Sequence, residues 1–208
     1  VQAHYLNTNI ANAEKRKDAV AQIKGWIGDD KVHMLMHSVA FGSLQPFIGA
    51  DAGSQLTQAQ MEMTLDVMAN SLVYWVQDLW RGGFLGPGSK IYAMTSEGSS
   101  RVVPSYGVVS SAKAALESHT RQLAMELARL GTGVTANTIR AGVTLTPALM
   151  KIPEKDAIIE AATRRNPTGR MTTTQDVANT ILALSGEGTE FINGEIIGVD
   201  GGEFITGS

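Results

Sequence analysis

A hydroxyl, a phenol and an ammonium stand close together between Met94 and Lys113, where the chain reads MTSEGSSRVVPSYGVVSSAK. Ser96, Tyr106 and Lys113 lie on a stretch that runs from the end of an apolar segment, through a polar loop, into a long helical pattern. Seven positions separate Tyr106 from Lys113. On a helix that spacing turns about 700°, back to nearly the same face, and moves the pair about 10.5 Å along the axis, against about 6 Å for a spacing of four. A phenol or hydroxyl can donate to an oxygen that gains negative charge, and an ammonium adds positive potential nearby. The bland alternative is that the tyrosine packs and the lysine is solvated.

Other chemistries find less support. The chain has no cysteine, so it offers no thiolate nucleophile, disulfide framework or thiolate zinc site, and its four histidines show no metal-ligand spacing. Seventeen basic and 20 acidic residues give a formal charge of −3 without long blocks, which is no footprint for a nucleic-acid backbone or an anionic lipid surface. No run approaches the ~18 apolar residues of a membrane span. One glycine-rich string, Gly82-Gly83-Phe84-Leu85-Gly86-Pro87-Gly88, has the spacing of a phosphate-binding turn. It follows a helical pattern and precedes a strand, the reverse of the required order, and Pro87 lacks a donor N–H, so it reads as a plain helix-to-strand loop.

Short apolar runs at Val32–Val39, Ile91–Ser96, Val134–Ile139 and Glu195–Val199 read as strands buried on both faces. Amphipathic helices are expected at Asn12–Gly25, Met61–Trp80, Ser110–Leu130 and Thr173–Leu184, the last with Val177, Ile181 and Leu184 inward. Strands alternating with helices of this length predict an α/β fold, a doubly wound parallel sheet of Rossmann-like, three-layer αβα form. The 208 residues suffice for a single domain, and Pro147–Arg170 is a polar helical excursion long enough to cover the strand ends. Met34, Met36, Met61, Met63 and Met68 read as core filling.

The Ser96–Tyr106–Lys113 segment resembles the short-chain dehydrogenase/reductase superfamily and, within it, the enoyl-acyl-carrier-protein reductases. Most of that superfamily spaces Tyr and Lys by four, with Ser thirteen before the Tyr; here the four-back position is Val109, whereas the enoyl reductase branch uses seven. His37-Ser38-Val39-Ala40-Phe41 resembles the end of the family's fourth strand, along which the cofactor lies. Ala136–Thr146, ANTIRAGVTLT, is similar to a family turn VNAISAGPIRT, and Gly194–Gly202 to the superfamily's final strand. Ser96 stands where many members have a second tyrosine, and Val143 replaces the turn's proline.

The resemblance implies NADH- or NADPH-dependent reduction of a trans-2-enoyl thioester, carried by acyl-carrier protein or coenzyme A, in cytoplasmic fatty acid biosynthesis. Tyr106 would stabilise the enolate and donate a proton, Lys113 would hold the cofactor ribose, and Ser96 would assist. Such an acid fits an enoyl thioester, where hydride enters at C3 and charge develops on the C1 oxygen. Asn9, Ile10, Ser38, Val39, Ala40, Thr95, Gly142, Thr144 and Thr146 would join Lys113 around the cofactor. The segment 147–170 would be a substrate lid, and the 61–80 helix, with Trp75 and Trp80, would pack in a homotetramer or homodimer. The first βαβ unit with its glycine-rich loop would precede Val1, in roughly 50 residues. Two other readings stay open: a reductase of another activated alkene or a ketone, and a non-catalytic cofactor-binding homologue.

Overall fold

The computed structural model describes residues 2–51, 53–146, 149–151 and 155–206. Four strands, β1 (Met34–His37), β2 (Lys90–Thr95), β3 (Thr135–Ala141) and β4 (Ile196–Val199), pair in parallel in the order β1-β2-β3-β4. Parallel neighbours need crossovers, and helices supply them: α2 (Gln58–Leu65) and α3 (Ser71–Arg81) before β2, α4 (Gly107–Arg129) before β3, and α5 (Lys155–Arg165) with α6 (Thr174–Ser185) before β4. A further helix, α1 (Ala13–Ile27), precedes the sheet.

Alternation along β2 shows why the sheet is covered on both faces. Ile91 and Ala93 sit in the core cluster with Ala112, Leu116 and Leu123 of α4, and Thr95 donates to Glu117 of the same helix at 2.6 Å. Tyr92 points the other way and donates to the Leu184 carbonyl of α6 at 2.8 Å. The expected three-layer α/β architecture is present, with the strand order running in one direction among the described residues.

Local chemistry sets the helix boundaries. Asn12 caps α1 by accepting from the Lys15 N–H, and Thr57 with Gln60, and Thr173 with Asp176, form capping boxes at α2 and α6. Arg16 of α1 clasps Asp78 of α3 at 2.8 Å and lies over the Tyr74 ring.

The helix expected over Met61–Trp80 is interrupted. A π-turn at Asp66–Asn70 separates α2 from α3, and there the Ser71 hydroxyl donates to the Val67 carbonyl while engaging His37 of β1. A buried polar tie outranks the apolar period at this point, and π-turns often mark such positions. Two other expectations are corrected. Val177, Ile181 and Leu184 are half-buried, because α6 borders a cavity at its amino-terminal half. Of the five methionines, only Met68 is fully in the core, and Met36 faces the same cavity as α6. The Gly82–Gly88 loop joins α3 to the amino end of β2, as expected, at the opposite end of the sheet from Ser96.

Candidate active site

Tyr106 is the N-cap residue of α4, so the helix reaches the phenol and the seven-residue spacing to Lys113 runs along it. The approach to Tyr106 is constrained from both sides. Ser105 takes φ 58°, the left-handed region that side chains other than glycine rarely adopt. Gly98 lies under the ring: a Cβ there would stand 2.7 Å from Tyr106 Cε1. Burial raises the Tyr106 pKa above the ordinary phenol value, and a hydrogen bond from Ser96 partly offsets that rise. The phenol is therefore a proton donor throughout the neutral range. Ser96 itself caps the 3-10 turn Glu97–Ser99, accepting from the Gly98 N–H.

Lys113 follows Ser110 on α4 by three residues, just under one turn, and is almost fully buried. Its Nζ donates to the carbonyls of Met94, at 2.7 Å, and Val39, at 3.1 Å, tying the carboxyl end of β2 to the segment after β1. An ammonium has three N–H donors, so one remains for a further acceptor. Burial lowers its pKa to about 8, against the opposing pull of Glu117 one turn on.

Two adjoining cavities open at the carboxyl ends of the strands, the end where α/β proteins place ligands. One, of about 520 Å³, is lined by Met36, Ser38, Met94, Thr95, Thr144 and Thr146, with Val177 and Ile181 of α6. The other, of about 400 Å³, is lined by Tyr106, Val103, Arg140, Leu149, Ile158 and Phe204. Ser96, Ala141 and Gly142 border both. Gly142 permits that shared wall: a Cβ there would collide with Thr172 Oγ1 and stand 2.7 Å from Glu203 Oε2.

The structure thus brings together Ser96 and Tyr106, and places Ser38, Thr95, Gly142, Thr144 and Thr146 around the neighbouring cavity. Lys113 sits beneath, on the carbonyl of Met94, a residue of the cavity wall, and Val39 contributes its own carbonyl. Ala40 is exposed beyond β1. Asn9 and Ile10 line neither cavity; Asn9 instead accepts from the Ala11 N–H in the turn before α1. Within the 147–170 segment, residues 147–148 and 152–154 lie outside the described residues; α5 contributes Ile158, Ala161 and Ala162 to the Tyr106 cavity.

Sequence reasoning missed the charged end of that second cavity. Arg165 of α5 donates to Glu97 at 2.8 Å and to the buried Glu203 at 2.6 Å, and Glu203 also accepts from the Val143 N–H. These residues are scattered along the chain with no spacing to join them. It missed His37 as well. Because the Ser71 hydroxyl donates to Val67, His37 Nε2–H is the donor in its 2.8 Å bond to Ser71, and Nδ1 is left without a partner among the described residues.

Burial, and then the charge of Lys113, lower the His37 pKa to about 4. The unfolded chain, with an ordinary histidine value of about 6.5, binds more protons than the native state between those limits, so stability falls as pH drops from about 6.5 to about 4. A chemical-denaturation series should show a loss of about 2 kcal/mol between pH 7 and pH 5, within the full linkage of about 1.4 kcal/mol per pKa unit. His37→Asn should flatten that slope; an unchanged slope in the variant would remove His37 from the account.

A parallel sheet covered on both faces, with a ligand cleft at the strand ends and a tyrosine–lysine pair on the helix beside it, defines a Rossmann-like α/β protein. The family model described as Enoyl-(Acyl carrier protein) reductase matches residues 1–203, and the chain belongs to that family. The chain is 31% identical over 174 residues to an enoyl-acyl-carrier-protein reductase (NADH) of Aquifex aeolicus, covering 84% of this chain and 63% of the relative. It is 33% identical over 183 residues to the same enzyme of Buchnera aphidicola, covering 88% of this chain and 67% of the relative. A solved Bacillus cereus enoyl-acyl carrier protein reductase, with NADP+ and indole naphthyridinone, superposes with a TM-score of 0.84 at 26% identity, covering 98% of this chain and 76% of that one.

Proposed function

We propose that this chain reduces the C2=C3 double bond of a trans-2-enoyl thioester of acyl-carrier protein or coenzyme A, with NADH or NADPH, in fatty acid biosynthesis. The observation that carries the proposal is the division of the cleft. Tyr106 stands in one cavity, the polar strand-end residues line the other, and Ser96, Ala141 and Gly142 are common to both. An enoyl thioester needs such a division, because it accepts hydride at C3 while charge accumulates on the oxygen at C1.

The residues of the larger cavity fit the nicotinamide and ribose half of the cofactor. Small or hydroxyl side chains at Ser38, Thr95, Gly142, Thr144 and Thr146 line it, and the uncommitted Lys113 donor lies behind Met94. Bound there, the reduced cofactor would supply the hydride that C3 accepts. Tyr106 donates to the thioester oxygen, its phenol held protonated by burial, and Ser96 moderates the rise of its pKa. The protonated Lys113 adds positive potential at the strand end. The apolar side chains of α5 and Leu149 cover the acyl chain, consistent with a lid over 147–170.

Self-association in a dimer or tetramer through the α2–α3 rod is part of the proposal, supported by the exposure of Trp80 on α3. A cytoplasmic location accords with the lack, among the described residues, of a helix long and apolar enough to cross a membrane.

The test is the oxidation of NADH and NADPH by the full chain with trans-2-enoyl and 3-ketoacyl thioesters of equal length. Turnover of the enoyl thioester at least tenfold above the ketoacyl one is expected. Preference for the ketoacyl substrate would favour the ketoreductase reading, and cofactor binding without turnover of either would favour a non-catalytic homologue.

A further inference from the structure

Two guanidinium groups, of Arg101 and Arg140, stack on Phe204, a third, of Arg165, lines the same charged end of the Tyr106 cavity, and that of Arg140 lacks hydrogen bonds. Arg165 is paired with Glu97 and Glu203. Arg101 donates to the carbonyls of Phe204 and Thr206. The guanidinium of Arg140, from β3, makes no hydrogen bond to any described residue, and its Nε is buried without a partner. Its side chain is only 17% exposed, and the nearest carboxylate, Asp200, lies at 3.9 Å, beyond hydrogen-bond reach. Arg140 is held by this long ion pair to Asp200 and by the face of Phe204, 3.5 Å below its guanidinium carbon.

Leaving a guanidinium so enclosed and unbonded is costly, and its planar fork is shaped for two parallel bonds to a carboxylate. Glu203 and Glu97 are committed to other donors, and Asp200 gives the fork no more than a long ion pair through Oδ2. Arg165 and the Val143 N–H engage Glu203, Arg165 engages Glu97, and Asp200 accepts from the Gly202 N–H. Arg140 also departs from the turn that ANTIRAGVTLT resembles, which has serine at this position.

We propose that Arg140 binds a carboxylate at the far end of the acyl group, so that the preferred substrate is an enoyl thioester bearing a second, free carboxylate. The inference rests on the enoyl reductase reading for the bond reduced, and extends it to the substrate class. The acyl chain would run along the apolar wall from Tyr106 towards Arg140.

The experiment compares two trans-2-enoyl-CoA thioesters of equal length, one ending in methyl and one in carboxylate, with the full chain and with Arg140→Ser, Arg140→Met and Arg140→Lys. A charge-assisted bidentate pair predicts that the wild type favours the carboxylate by about 10- to 100-fold in kcat/KM, mainly through KM. Arg140→Ser and Arg140→Met should abolish that preference, the carboxylate-ended thioester losing at least about tenfold more kcat/KM than the methyl-ended one, and Arg140→Lys should keep part of it. Equal loss on both thioesters would mark a merely structural role and overturn the proposal, as would a wild type without preference. Calorimetric binding of a saturated dicarboxylate mono-CoA thioester separates the two readings. Arg140-dependent binding without turnover of either enoyl thioester supports the carboxylate site and sinks the reductase reading, whereas turnover of the methyl-ended thioester with no Arg140-dependent binding does the reverse.

Discussion

Tyr106→Phe lowers kcat for the enoyl thioester by about 10²- to 10³-fold, the usual effect of deleting one donor from a site where negative charge develops in the transition state. The loss falls on kcat because the phenol hydrogen bond strengthens only as the oxygen at C1 becomes an enolate. The KM for NADH or NADPH should move less than threefold, since Tyr106 lines the other cavity. Phenylalanine keeps the ring against Gly98, so the thermal midpoint should stay within a few degrees of the wild type. Ser96→Ala should cost less, because Ser96 works only by offsetting the rise of the Tyr106 pKa. Steady-state kinetics of both variants provide the check. A Tyr106→Phe enzyme within twofold of wild type removes Tyr106 from the chemistry.

The sheet was legible because its signals are local. Continuous apolar runs bounded by glycine mark β1 to β4, and asparagine or threonine before an amphipathic period marks the starts of α1 and α6. Tyr106 and Lys113 were legible because they share a helix, where spacing fixes their relation. The π-turn was not, because its cause is a hydrogen-bonded tie between Ser71 and His37, 34 positions apart. Arg140, Glu97, Arg165 and Glu203 were invisible for the same reason: tertiary folding alone brings them to one wall. The dependence of Tyr106 on a left-handed Ser105 and on the bare Cα of Gly98 also lies outside any periodic pattern. Asn9 and Ile10 lie in the turn before α1, outside both strand-end cavities.

Lys113→Met raises the KM for NADH or NADPH by at least about 30-fold and lowers kcat as well, because it removes the donor beneath the larger cavity and positive potential beside the enolate. It also leaves the Met94 and Val39 carbonyls without the ammonium that ties them, so the strand ends should loosen. Lys113→Arg distinguishes charge from fit. The wild-type lysine has a pKa of about 8, so kcat/KM for the cofactor should fall above pH 8 as the ammonium deprotonates. An arginine stays protonated there, and that alkaline fall should vanish in Lys113→Arg even if the longer side chain lowers activity throughout. Stability moves the other way. Burial lowers the native pKa below the unfolded value, so between about pH 8 and pH 10.5 the unfolded chain holds more protons and folding becomes more favourable as pH rises, by up to about 3 kcal/mol. Activity falling while stability rises over one pH interval is a signature that general alkaline unfolding cannot produce. If the two fall together in the wild type, or if Lys113→Arg keeps the alkaline limb, Lys113 is a structural tie alone.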